Sequence, residues 1–182
     1  MKRICVFSGS SRGALDDYAR TAASLGRALA RRGIGVVYGA ASIGLMGCVA
    51  DAALEEGGEV IGIIPEALMT EEVVHTGLTE LKVVGSMHER KALMARLSDG
   101  FIALPGGYGT LEELAEMITW LQLRFHAKPC GVLNVRDYYG HLIRFLDHAV
   151  TQGFLKQKHR DKLLIADDVD GILNALAAFR LP

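Results

Sequence analysis

Residues 105–113 read Pro105-Gly106-Gly107-Tyr108-Gly109-Thr110-Leu111-Glu112-Glu113, with three glycines in four positions followed by a threonine and two glutamates. Glycines at the mouth of a helix let backbone N–H groups come within hydrogen-bond distance of an anion, and the helix dipole adds to the attraction. No lysine follows as it does in a P-loop, which disfavours triphosphate hydrolysis and favours a monophosphate site. A plain turn explains part of the segment: Thr110 as helix cap, with Glu113 three residues on completing a capping box. It leaves Gly106, Gly107 and Gly109 together without a reason. Two roles therefore fit Glu113. It closes a capping box, or it stands beside a bound sugar, where a carboxylate can align water and stabilise the oxocarbenium-like charge of glycosidic cleavage.

Cations precede this turn in Ser86-Met87-His88-Glu89-Arg90-Lys91. On a helix, Arg90 and Lys91 fall on the face shared with Met87 and Met94, two charges beside mostly apolar neighbours. The planar fork of arginine suits phosphate or carboxylate, and lysine supplies a point charge. Two more glycine-rich turns follow apolar runs. Ser8-Gly9-Ser10-Ser11-Arg12-Gly13 offers small residues and hydroxyls to an anion, and it equally fits an ordinary strand-to-helix loop. In Tyr38-Gly39-Ala40-Ala41-Ser42-Ile43-Gly44-Leu45-Met46-Gly47, glycines 39, 44 and 47 suit close packing at least as well as ligand contact. This second turn does not fit the dinucleotide fingerprint, which belongs after a first strand with an acidic residue trailing it.

The elements that must position these turns alternate along the chain. Apolar runs at 3–8, 35–38, 59–64, 101–104 and 131–135 read as strands, with shorter ones at 81–84 and 163–166. Amphipathic stretches at 16–32, 45–56, 87–97, 110–123, 138–150 and 169–179 read as helices, and residues 66–79 show no clear period. Continuously apolar strands separated by helices predict a Rossmann-like α/β fold, a doubly wound parallel sheet with helices on both faces. The chain has no repeats or low-complexity tracts, so residues 1–182 are expected to form one nucleotide-binding domain. In such sheets ligands sit at the carboxyl ends of the strands, where the strand order switches.

Twenty Lys and Arg stand against 21 Asp and Glu, a net charge of -1 that gives no electrostatic reason to expect nucleic acid or an anionic membrane as partner. No apolar stretch reaches membrane-spanning length, and the N-terminal apolar run is too short for a signal peptide. Cys5, Cys48 and Cys130 lie far apart, which points to free thiols and a cytoplasmic location. The six histidines are scattered, so no metal site is expected.

At the residues quoted above the chain resembles the LONELY GUY (LOG) family, cytokinin riboside 5′-monophosphate phosphoribohydrolases that include bacterial proteins once labelled lysine decarboxylases. The resemblance is most specific at residues 105–113 and 87–91, with support from Gly44-Leu45-Met46-Gly47 and from Lys128-Pro129. It implies a Rossmann-like homodimer that hydrolyses AMP-type nucleotides, often N6-prenylated, to free base and ribose 5-phosphate, without a cofactor. It makes Arg90 and Glu113 the catalytic pair. Substrate binding would fall to Lys91, Met87, Gly106, Gly107, Tyr108, Gly109 and Thr110, with Ser8 and Gly9 helping to anchor the phosphate. Glu72 and Thr119 align with further substrate contacts. The chain departs from the family where glycine is usual, at Ala40 and Ala41 and again at Arg124. Decarboxylation finds no support, because it calls for pyridoxal phosphate on a lysine and nothing in the sequence suggests that site. The competing expectation is a non-catalytic nucleotide or phosphorylated-cofactor binding protein on the same fold.

Overall fold

The computed structural model describes residues 1–69 and 74–180. Seven strands form one sheet: β1 (Arg3–Phe7), β2 (Gly35–Tyr38), β3 (Val60–Pro65), β4 (Glu80–Val84), β5 (Gly100–Ala103), β6 (Cys130–Leu133) and β7 (Leu163–Ala166). All neighbours pair in parallel, in the order β4-β3-β2-β1-β5-β6-β7. The helices are α1 (Asp16–Arg31), α2 (Gly44–Glu55), α3 (Met87–Leu97), α4 (Tyr108–Leu123), α5 (Gly140–Thr151), α6 (Gln157–Arg160) and α7 (Val169–Ala178). The doubly wound α/β fold read from the sequence is the fold observed. Among the described residues no helix is long and apolar enough to cross a membrane.

Strand alternation builds two cores. Ile4 and Val6 of β1 point into the layer shared with Leu25, Leu29, Val49 and Leu176 of α1, α2 and α7. Cys5 and Phe7 point the other way, into the layer of Met94, Leu114, Met117 and Leu121 from α3 and α4. Both faces are thus covered, and the inner strands are buried except for Arg3 at the start of β1. The edge strand β4 alternates Glu80 and Lys82 with half-exposed apolar residues, a composition that discourages further pairing.

Several boundaries shift. The expected helix over 138–150 gives way to a short 3-10 turn, Val135–Asp137, before α5 begins at Gly140. Arg136 and Asp137 both have positive φ there, which breaks the helix. The short helix α6 was not expected. Two of the positions read in the sequence as departures from a glycine pattern are left-handed: Ala40 (φ 69°) and Arg124 (φ 65°). The alanine and the arginine occupy a backbone conformation that disfavours any side chain.

Candidate functional site

The strand order reverses between β1 and β5, and the turns that leave these two strands meet there. The N–H of Gly9 donates to the Pro105 carbonyl (3.0 Å), and the N–H of Leu45 donates to the Gly9 carbonyl (3.0 Å). All three glycine-rich turns are therefore stacked at one end of the sheet. Between them lies a cleft of about 300 Å³ lined by Gly9, Ser10, Arg12, Gly106, Gly107 and Tyr138 among others. The hydroxyl of Ser8, the residue before Gly9, is buried and has no hydrogen-bond partner among the described residues.

The β5–α4 turn differs from the capping box expected of it. Helix α4 begins at Tyr108, with Gly107 as its cap and no side chain bonding the first N–H groups. Thr110 is inside the first turn, and Glu113 is the sixth helical residue. The first helical bond runs from the Leu111 N–H to the Gly107 carbonyl (3.1 Å), so the N–H groups of Tyr108, Gly109 and Thr110 have no partner within the helix. A side chain at Gly106 would strike Thr110 and Gly9, which explains that glycine by packing. At Gly107 and Gly109 a side chain would meet nothing within 4 Å, and neither residue has a positive φ. These two glycines therefore leave open space at a helix mouth whose first N–H groups have no partner among the described residues. Tyr108 between them is 93% exposed.

Two tyrosines that the sequence reading passed over hold this turn. The Tyr138 hydroxyl donates to the Gly106 carbonyl (2.6 Å), and the buried Tyr139 hydroxyl donates to the Leu104 carbonyl (2.6 Å). Fixing the Gly106 carbonyl fixes its whole peptide plane, so the Gly107 N–H points the opposite way. Burial, and next the neighbouring Tyr138, push the Tyr139 phenol above its ordinary pKa, so it remains a donor.

Arg90 is buried on α3. Its Nε donates to the Ile63 carbonyl (3.0 Å) and its Nη2 to the Gly39 carbonyl (2.8 Å), while Nη1 lies 3.7 Å from the Met87 sulfur. The guanidinium is thereby clamped over the carboxyl ends of β2 and β3. Gly39 makes the approach possible, because a Cβ there would sit 2.2 Å from Nη2. Glu113 is half-buried on α4. Burial pushes the Cys5 thiol up, the charge of Glu113 pushes it further, and Arg90 pulls it down. Arg90 and Glu113 thus act from the same side of the sheet, within electrostatic reach of one buried atom.

Lys91 is paired within the fold. It is buried, and its ammonium bonds the Glu112 carboxylate and lies 3.1 Å from Glu116, tying α3 to α4. Burial lowers its pKa, and the two carboxylates outweigh that and raise it, so Lys91 stays protonated. The pairing gives Glu112 and Glu116 a part in holding α3 to α4. Helix α3 carries the cap that the sequence seemed to place on α4. Ser86 Oγ accepts from the Glu89 N–H (3.2 Å), and Glu89 accepts from the Gly85 N–H (2.8 Å).

The structure brings together Ser8, Gly9, Gly106, Gly107, Tyr108, Gly109 and Thr110 at the switch point, with Met87, Arg90 and Glu113 on α3 and α4 beside it. Thr119 is elsewhere. It is six residues beyond Glu113, on a different side of α4, where it lines a groove against α5. Glu72 lies outside the described residues.

A Rossmann-like sheet with an anion-ready helix mouth at its switch point defines the class: an α/β protein built to hold a phosphorylated small molecule. The model of the family described as "Possible lysine decarboxylase" matches residues 46–176, and the chain belongs to that family, the LOG family of its curated relatives. It is 51% identical to a probable cytokinin riboside 5′-monophosphate phosphoribohydrolase of Oryza sativa, covering 98% of this chain and 78% of that one. It is 47% identical to the cytokinin riboside 5′-monophosphate phosphoribohydrolase of Rhodococcoides fascians, covering 100% of this chain and 90% of the relative. Among solved structures, the molybdenum cofactor binding protein of Rippkaea orientalis superposes with a TM-score of 0.72 at 21% identity, over 98% of this chain and 97% of that one. The molybdenum cofactor carrier protein of Chlamydomonas reinhardtii gives 0.69 at 22%, over 96% and 95%. These last two likenesses establish the fold.

Proposed function

We propose that this chain is a phosphoribohydrolase that cleaves the N-glycosidic bond of AMP-type nucleoside 5′-monophosphates, N6-prenylated ones included, to free base and ribose 5-phosphate. One observation carries the reading: Gly107 and Gly109 have no packing or backbone reason to be glycine, and they face open space at a helix mouth with unpaired N–H groups. A phosphate seated there satisfies those donors, with the Ser8 hydroxyl and Gly9 on the facing turn. Anchoring the phosphate then spends its binding energy on positioning the scissile bond.

In the reaction, the bond from C1′ to the base nitrogen breaks, water oxygen bonds C1′, and a water proton ends on the base. Glu113 aligns that water and offsets the positive charge on the ribosyl group. Arg90, immobilised by the Gly39 and Ile63 carbonyls, supplies a fixed positive charge on the α3 side of the site. Lys91 acts by holding α3 against α4. As a protonated ammonium between two carboxylates it is a poor Schiff-base former, which argues against decarboxylation.

The enzyme works as a homodimer in the cytoplasm. Support for the dimer comes from an apolar groove of about 350 Å³ between α4 and α5, lined by Leu111, Ile118, Leu142 and Leu146, with Phe145 exposed beside it. Thr119 lies in this groove, so it contacts substrate only across such an interface. Three free cysteines accord with a reducing compartment. Chromatography of the purified protein after incubation with AMP tests the reading, with free adenine and ribose 5-phosphate as the expected products. Adenosine with inorganic phosphate would make the protein a phosphatase, and retained intact nucleotide would make it a binding protein.

A further inference from the structure

At the far end of α4 from the glycine turn lies a second cavity, of about 540 Å³. The sixteen residues of α4 separate the two ends by about 24 Å. Its walls include Gln122, Arg124, His126, Lys158, His159 and Lys162, and no carboxylate lines it. Two of the basic groups have partners on α4 itself. Nζ of Lys162 donates to the Leu121 carbonyl (3.3 Å), and His126 Nε2 bonds the Met117 carbonyl (3.1 Å). His126 Nδ1 accepts from the Lys128 N–H (3.1 Å), so this ring is neutral and serves as a wall.

The other three groups have no such partner. The side chains of Arg124 and Lys158 make no hydrogen bond or ion pair among the described residues. His159 Nδ1 is buried without a partner. Burial of its ring, and then the charges of Lys162, Lys158 and Lys156, hold His159 below the ordinary histidine range. Arg124 adds a further signal, because it occupies a left-handed position, φ 65°, that glycine fills without strain. Carrying a long cation at such a position, next to other cations, opposes both backbone preference and charge repulsion. Strain of this kind gathers at binding sites.

We propose that this cavity is a second anion site, taking the phosphate group of a small phosphorylated metabolite through Arg124, Lys158, Lys162 and the Nδ1–H of His159. The volume falls in the range of small-molecule pockets, and arginine beside lysines is the donor set that phosphate recognition uses. The site is separate from the reaction proposed above and does not depend on it.

Histidine-selective nitrogen-15 NMR on the full chain gives a local readout. His159 is assigned by a His159→Gln variant, and the protein is titrated with pyrophosphate and, separately, with ribose 5-phosphate. A sodium chloride series matches the ionic strength. The His159 ring signals are expected to move saturably with at least one phosphate ligand and not with chloride. The tighter of the two tells a diphosphate from a sugar monophosphate. Arg124→Gly, which removes the cation and relieves the backbone, weakens that binding about tenfold, as does Lys158→Gln. Gly107→Ala leaves it unchanged. Ring signals that follow only ionic strength, or an Arg124→Gly protein that binds as the native one does, would overturn the proposal.

Discussion

Two glycine-rich turns of similar appearance lie side by side at the switch point, and their glycines exist for opposite reasons. In the β2–α2 turn every glycine is pressed against something. Gly39 faces the Arg90 guanidinium, Gly47 faces the Ser42 carbonyl, and Gly44 has a φ of +63° with the Ser10 backbone 2.2 Å from where a Cβ would lie. In the β5–α4 turn, Gly106 is packed in the same way, whereas Gly107 and Gly109 face empty space. The first turn is scaffold that seats Arg90 and supports the β1–α1 loop. The second keeps its backbone donors uncovered. A glycine with neither a steric nor a dihedral reason is the more informative one for function.

The comparison can be broken at several points. Replacing Glu113 by Gln removes the carboxylate that only the open turn would present to a substrate. Base release from AMP should fall about 10²- to 10⁴-fold, with an unchanged thermal unfolding midpoint. Equal turnover would remove Glu113 from the chemistry. Gly44→Ala, in the packed turn, should destabilise the fold by roughly 2–4 kcal/mol, since it combines a left-handed φ with a backbone collision. Chemical denaturation measures this, and a neutral result would show that the packed turn relaxes freely. Tyr138→Phe keeps the ring contact with Tyr18 and loses the bond to the Gly106 carbonyl. The Gly106–Gly107 peptide is then free to turn, and ribose 5-phosphate should bind about tenfold more weakly while adenosine binding holds. Parallel loss for both ligands would reduce Tyr138 to a structural support. The smallest effect is expected from Arg124→Gly, which should raise stability by about 0.5–1 kcal/mol by relieving a left-handed arginine.

Much of the fold was legible because local signals and packing agree. The α3 boundaries read from the sequence, 87–97, match the observed helix, whose cap is supplied locally by Ser86 and Glu89. The same logic misplaced the start of α4. Thr110 and Glu113 have capping-box spacing, but the helix had already begun at Tyr108 behind a glycine cap, so the threonine faces inward under Gly106. The cluster of Arg90, Glu113 and the glycine turn could be read because each motif is local and the switch point of a doubly wound sheet unites them. What escaped is long-range. Tyr138 reaches Gly106 across 32 positions, and Lys91 finds Glu112 across 21. No periodicity encodes such contacts.

The central claim is that the open glycines of the β5–α4 turn exist for a phosphate. Calorimetric titration of ribose 5-phosphate and of adenosine into the native protein and into Gly107→Ala tests it most directly. The account predicts that Gly107→Ala keeps its thermal midpoint within about 1 °C of native, since the added methyl meets nothing. It also predicts that ribose 5-phosphate binding weakens at least tenfold while adenosine affinity is retained. Unchanged ribose 5-phosphate affinity in a well-folded Gly107→Ala protein would contradict it.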